Sequence, residues 1–188
     1  MPPIETDNET SGLHSIDWTF EDSSAGQGIH SIHPYPAKFI PEIPKNLIEI
    51  FQTPNTNTFL DPFCGSGTAL VEAQKHGLDC VGIDIHPLAC LITRVKTRDL
   101  PQEFSKASRE LVTNARRRYR HDEIKPKDIP KIDHWFKKPI QKALTVLTEE
   151  ISDLNNNQLK EALQVALSSI IVKVSNQDSD TRYAAVDN

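Results

Sequence analysis

Hydrophobic and polar positions fall into two regimes along the chain. Up to Lys96, short apolar runs alternate with helical spacings; beyond Pro101 only helical spacings recur. "HSIHPYPAKFIPEIP" is punctuated by four prolines and reads as extended or turning until about Pro44. "KNLIEIF" then places Leu47, Ile48 and Phe51 on one helical side. "TFLD" and "DCVGIDI" read as short buried strands, and Thr68 to His76 between them as a helix stopped by Gly77. "HPLACLITRVKT" restarts a helix at Pro87. The order helix, strand, helix, strand, helix predicts a parallel α/β unit with a right-handed crossover.

After Pro101, residues 104–120 are predicted helical and basic, and "KPKDIPKIDHWF" is a proline-broken linker carrying Trp135. Ile140, Leu144, Leu147, Ile151 and Leu154 recur at helical spacing, as do Leu159, Leu163, Leu167, Ile170 and Val174. The expected organisation is a flexible lead over 1–28, with Trp18 and Phe20 as anchors, and an α/β unit over 29–100. A helical region over 101–175 and a polar tail over 176–188 follow. No internal repeat is visible.

Composition narrows the function. No stretch approaches the roughly 18 apolar residues of a membrane span, and the acidic N-terminus lacks the basic-then-apolar order of a signal peptide. The three cysteines lack C-x-x-C spacing, which argues against a disulfide framework or zinc site and suits a reducing, cytoplasmic setting. His86 and Cys90 lie four apart on a helix, but with no third ligand they read as helix start and packing, so no metal site is expected. The net charge of −5 excludes nucleic-acid binding driven by overall charge. Arg116, Arg117, Arg118 and Arg120 are the densest local basic cluster and candidate phosphate contacts.

"FLDPFCGSGTALVEA", residues 59–73, carries the chemistry. Glycines at a strand-to-helix turn let backbone approach a ligand, and the helix start adds free N–H groups and a positive dipole end. Asp84, 19 residues after Gly65, is placed to accept hydrogen bonds from ribose hydroxyls. The dinucleotide pattern G-x-G-x-x-G is not met, because Leu70 holds the third glycine's place, and no G-K-[ST] follows for a P-loop. A carboxylate at Asp61 would repel a pyrophosphate but attract an ammonium and a sulfonium. Two acids flanking a glycine turn therefore favour S-adenosyl-L-methionine.

"DPFCGSGT" resembles the cofactor motif of DNA methyltransferases that modify adenine N6 or cytosine N4, and "GIDIHPLA" resembles their acidic-strand motif. "HPYPAKFIP" is similar to the H-P-x-x-K-P type motif that precedes the glycine turn and helps enclose the cofactor. Here the form is longer, with Phe39 after Lys38 and the proline at Pro41. The resemblance covers roughly residues 30–96 and implies a Rossmann-like S-adenosylmethionine-dependent methyltransferase fold, incomplete in this chain. It implies that Asp61, Phe63, Gly65, Ser66, Gly67 and Thr68 lie beside the methionine moiety. Asp84 would hold the ribose, with Ile83 and Ile85 near the adenine. His33, Lys38 and Phe39 would close the site from the N-terminal side.

Such enzymes flip the target base out of the duplex and hold its amino group with a [D/N/S]-P-P-[Y/F/W] motif. The only Pro-Pro pair is Pro2–Pro3, followed by Ile4, so no catalytic residue is assigned. The expectation is a cofactor-binding N-terminal fragment, or half of a split enzyme, of a restriction-modification system. Its partners would be double-stranded DNA and a second chain or further C-terminal part bearing the motif. Two alternatives stay open: an RNA guanine-N2 methyltransferase-like protein and a non-catalytic cofactor-binding subunit.

Overall fold

The computed structural model describes residues 12–21, 23, 28–36, 38–179 and 182–185, with side chains described as far as Gln177. Parts of the expected lead (1–11, 22, 24–27) and tail (180–181, 186–188) lie outside the described residues. The chain divides into two compact units, residues 1–99 and 100–188.

The first unit is built on two parallel strands. Strand β1, Thr58–Asp61, pairs with β2, Asp79–Gly82, in the register Thr58↔Asp79 to Asp61↔Gly82. Helix α1, Glu42–Phe51, precedes β1; α2, Thr68–Lys75, connects the strands; α3, Pro87–Lys96, follows β2. The helix α1 starts earlier than its prolines suggest. Pro44 is accommodated in its first turn, where the N–H would have no intrahelical partner. Gly77, with φ of 76°, ends α2 by adopting a left-handed conformation that other residues resist.

Packing is one-sided. Phe59 and Cys80 lie on the sheet face that meets a buried cluster of Ile48, Ala73 and Leu78. Period-two alternation sends their neighbours to the other face. There Leu60 and Val81, partners in the register, are 59% and 50% exposed. Gly82 admits the close approach of α2, since a Cβ there would lie 2.4 Å from Leu70 Cδ1 and 3.1 Å from Cys64. Ahead of α1, the Trp18 indole donates to the Leu13 carbonyl at 2.9 Å and meets Phe20 edge-on.

The second unit is helical. Its long helices are α4, Phe104–His121; α6, Lys138–Ser152; and α7, Asn157–Val174. The linker expected ahead of α6 contains a single helical turn, α5, Ile132–Trp135. Leu111, Ile151 and Leu163, one from each long helix, form the core, with Phe104, Leu147, Leu154 and Leu167 packed around it. The Asn156 side chain caps α7 by accepting the N–H groups of Gln158 and Leu159. The polar tail contributes an antiparallel pair, β3 Gln177–Ser179 and β4 Arg182–Ala185. No described helix is long and apolar enough to cross a membrane.

The two sheet faces should respond differently to truncation. Leu70→Ala removes a side chain only 3% exposed and is expected to cost about 2–5 kcal/mol in urea unfolding. Leu60→Ala on the open face should stay within about 0.5 kcal/mol of the parent.

Candidate cofactor-binding site

The carboxyl ends of β1 and β2 meet at the glycine turn. Asp61 ends β1, and its Oδ1 accepts the Phe63 N–H at 3.0 Å, which bends the chain at Pro62. The Ile83 N–H donates to the Asp61 carbonyl and the Cys64 N–H to the Ile83 carbonyl, both at 2.9 Å, so the two strand exits stay paired beyond the sheet. Gly65 and Gly67 turn the chain with φ of 49° and 76°, and α2 begins at Thr68.

Asp84 closes this arrangement. Its Oδ2 accepts the Gly65 N–H at 2.9 Å and its Oδ1 accepts the His86 N–H at 2.7 Å. One carboxylate thus fastens the glycine turn and the start of α3. Each carboxylate oxygen has a further lone pair, so these bonds leave capacity for hydroxyl donors.

The turn is also held from behind. Buried positions 89, 92, 93 and 96 form one stripe of α3 and include two polar residues. The Thr93 hydroxyl donates to the Gly65 carbonyl at 3.0 Å. A Cβ on Gly67 would lie 2.7 Å from the Thr93 hydroxyl oxygen, so this glycine answers to both conformation and space. Lys96 Nζ donates to the Ser66 hydroxyl at 3.4 Å from a side chain whose residue is 5% exposed. Burial, reinforced by the nearby Lys38 charge, lowers the Lys96 pKa to about 8. Burial likewise raises the Cys64 thiol.

The candidates from the N-terminal motif separate. His33 is buried, and burial followed by the Lys38 charge pushes its pKa down. Lys38 Nζ donates to the carbonyls of His30 at 3.1 Å and His33 at 3.3 Å, clamping this segment on itself. His30 Nε2 lies 2.7 Å from the buried Glu72 carboxylate, which Lys75 also engages at 2.7 Å. Phe39 is 59% exposed and lines an apolar groove of about 400 Å³ with Leu47, Phe51, Phe59 and Leu60. The aromatic beside the turn is instead Tyr35. Its ring lies 3.8 Å from where a Gly65 Cβ would be and edge-on to His86, and its hydroxyl pKa is raised by burial and by Asp84. Phe63, Ile83 and Ile85 are 87%, 55% and 100% exposed around the two acids.

Sequence spacing did not single out Tyr35, Thr93 or Lys96. The available signal was a polar residue at each of two core-stripe positions of α3.

The four arginines of α4 also divide. Arg118 turns back onto acids, bonding Glu149 at 2.7 Å, Glu150 at 3.0 Å and Asp122 at 3.3 Å. Its guanidinium is held still more firmly protonated by these bonds. Arg116, Arg117 and Arg120 are exposed and form no ion pair among the described residues. No group of three or more potential metal ligands occurs among the described residues.

Residues 5–94 match the family model described as DNA methylase, of the N6 and N4 class. This segment, which carries the turn and both acids, is similar to the amino-methylating DNA methyltransferase family. The chain is similar to type II methyltransferase M.MvaI of Kocuria varians, 35% identical over 156 residues, 78% of this chain and 34% of that protein. Type II methyltransferase M.MjaII of Methanocaldococcus jannaschii is 46% identical over 71 residues, 36% of this chain and 13% of that protein. Type II methyltransferase M.BsoBI of Geobacillus stearothermophilus is 27% identical over 169 residues, 86% of this chain and 32% of that protein. The chain spans about a third or less of the length of these relatives. Two alignments are longer than the first unit, so the likeness extends into the helical unit. No solved structure gives a significant match.

Two substitutions test the packing behind the turn. Gly67→Ala forces a left-handed alanine against Thr93 and should cost at least about 1–3 kcal/mol in unfolding. Lys96→Met removes a buried ammonium and should raise the thermal midpoint at pH 7. The sign follows from linkage. The unfolded lysine, with an ordinary pKa of 10.5, binds more protons than the folded one above about pH 8. Wild-type stability should therefore rise between those pH values relative to Lys96→Met, in which this rise is absent.

Proposed function

We propose that the chain is the S-adenosyl-L-methionine-binding portion of a DNA amino-methyltransferase, built on part of a Rossmann-like fold. The substrate is the exocyclic amino group of cytosine N4 or adenine N6 in double-stranded DNA. The type II naming of the similar methyltransferases supports a place in a restriction-modification system. The observation that carries the reading is Asp84, at the exit of β2, gripping the Gly65 N–H of the turn at the exit of β1.

The residues fit the cofactor's chemistry. Gly65 and Gly67 bare the backbone, and the Ser66 and Thr68 N–H groups make no hydrogen bond among the described residues. Asp84 offers its remaining lone pairs to ribose hydroxyls, with Ile83, Ile85 and Tyr35 as apolar surface for the adenine. Asp61 supplies negative charge for the ammonium and sulfonium. His33 and Lys38 order the segment that carries Tyr35, and Phe63 flanks the turn. When bound, the cofactor supplies an electrophilic methyl group; this chain's part is to hold and orient it.

Methyl transfer requires a Pro-Pro-aromatic motif on another segment, as a second chain or a further part of the same one. Leu60 and Val81 support this, because parallel sheets are ordinarily covered on both faces and here one is open. Arg116, Arg117 and Arg120 are proposed DNA phosphate contacts, whereas Arg118 is engaged by carboxylates. The absent motif also sustains a second reading, a cofactor-binding subunit without catalysis. The RNA guanine-N2 alternative gains nothing from the matches, which lie with DNA methylases.

Calorimetry with S-adenosylmethionine should show saturable binding that weakens at least roughly tenfold in Asp84→Ala, the loss expected for hydrogen bonds to a charged group. Equal affinity of the two would refute the ribose role. Adding a chain that bears the motif should restore transfer of labelled methyl groups to duplex DNA; restored binding without transfer would favour the non-catalytic reading.

A further inference from the structure

The segment that brings Tyr35 to the glycine turn is joined to α2 by a buried polar pair. His30 lies in a single 3₁₀ turn, Gly28–Ser31, and Glu72 lies one helical turn into α2. Their side chains are 7% and 4% exposed, and His30 Nε2 meets Glu72 Oε1 at 2.7 Å. Burial lowers the His30 pKa against the pull of Glu72, so the ring is neutral at pH 7 and its Nε2–H donates to the carboxylate. The other ring nitrogen, Nδ1, is then a buried acceptor with no donor among the described residues. Lys75 donates to the same Glu72 oxygen from an exposed side chain.

Two apolar side chains would fill this space without an orphaned nitrogen or a desolvated carboxylate. What the polar pair adds is direction. It ties one atom of the segment to one atom of α2, and α2 begins at the glycine turn. Lys38 carries that tie along the segment. Its Nζ donates to the carbonyls of His30 and His33, and the Tyr35 N–H donates to the His33 carbonyl at 2.9 Å. The bonds therefore run from α2 through His30 and His33 to Tyr35, whose ring lies 3.8 Å from where a Gly65 Cβ would be.

We infer that the His30–Glu72 bond is a latch that sets the Tyr35 ring against the glycine turn, which makes His30 and Glu72 positioning residues for the ligand held there. Both act through Tyr35. The latch stands on the geometry above; its effect on affinity rests on the turn holding S-adenosylmethionine.

The test has a ligand-free arm and a ligand arm, both on the full chain. In the free protein, nuclear Overhauser contacts between the Tyr35 ring and Gly65 should be present in wild type and in Glu72→Gln, which keeps an acceptor for His30. They should be lost in Glu72→Leu and His30→Leu. Contacts that persist in both leucine variants would overturn the inference. In calorimetry, S-adenosylmethionine should bind Glu72→Leu roughly five- to tenfold more weakly than wild type, the loss expected for one misplaced aromatic contact. Glu72→Gln and Lys75→Met should bind like wild type. In a Tyr35→Ala background Glu72→Leu should cost no further affinity, because both changes remove the same contact. Additive losses would show that Glu72 acts on the fold at large and would overturn the positioning role. If Glu72→Leu fails to fold, His30→Leu, which leaves the carboxylate with Lys75, supplies the same comparison. If wild type does not bind S-adenosylmethionine, the cofactor reading fails and the ligand-free arm alone decides the latch.

Discussion

The hydrogen bond from the Gly65 N–H to the Asp84 carboxylate holds the rest of the site in place. A two-stranded parallel pair has little means of fixing the loops that leave it, because each strand contributes four residues and few cross-strand bonds. Asp84 supplies what the sheet lacks. It fastens the turn after β1 and, through the His86 N–H, the start of α3. The Ile83 and Cys64 backbone bonds extend the pairing past the strand ends. In the proposed reading the same carboxylate that fastens the turn also meets the sugar, so preorganisation and recognition would share one group.

Behind the turn the structure accepts instability. Gly67 leaves no room for a side chain against Thr93, and Lys96 keeps an ammonium among residues that exclude water. A sequence free to optimise stability would place methionine or leucine at position 96 of this core stripe. Ser66, which Lys96 meets, is the middle residue of the glycine turn, and this links the buried charge to the proposed ligand site.

Much of the first unit is readable from residues 58 to 96 because glycine and proline punctuate it at positions that favour them. Gly77 stops α2 with a positive φ, and Pro87 opens α3 where a missing N–H does no harm. Around Pro44 the reading falters, since proline is as welcome in a first helical turn as in an extended segment. The N-terminal motif divides its residues in a way spacing could not reveal. Tyr35 lies beside Gly65 while Phe39 faces the α1 groove, because a proline-rich segment has no fixed periodicity from which to read a face. The arginines of α4 were similarly indistinguishable in one dimension. Arg118 differs from its neighbours only because Glu149 and Glu150, over thirty residues away, stand opposite it.

The two units contrast in completeness. The helical unit closes its own core around Leu111, Ile151 and Leu163, whereas the α/β unit leaves Leu60, Val81 and Phe39 in solvent. The open face of the α/β unit accords with the further segment proposed above. The most direct measurement of the account is the amide spectrum of the isotopically labelled chain titrated with S-adenosylmethionine. The account predicts that the Gly65, Ser66, Gly67 and Ile85 signals move together and saturate. Saturable binding that leaves those four signals in place while shifting others would contradict it.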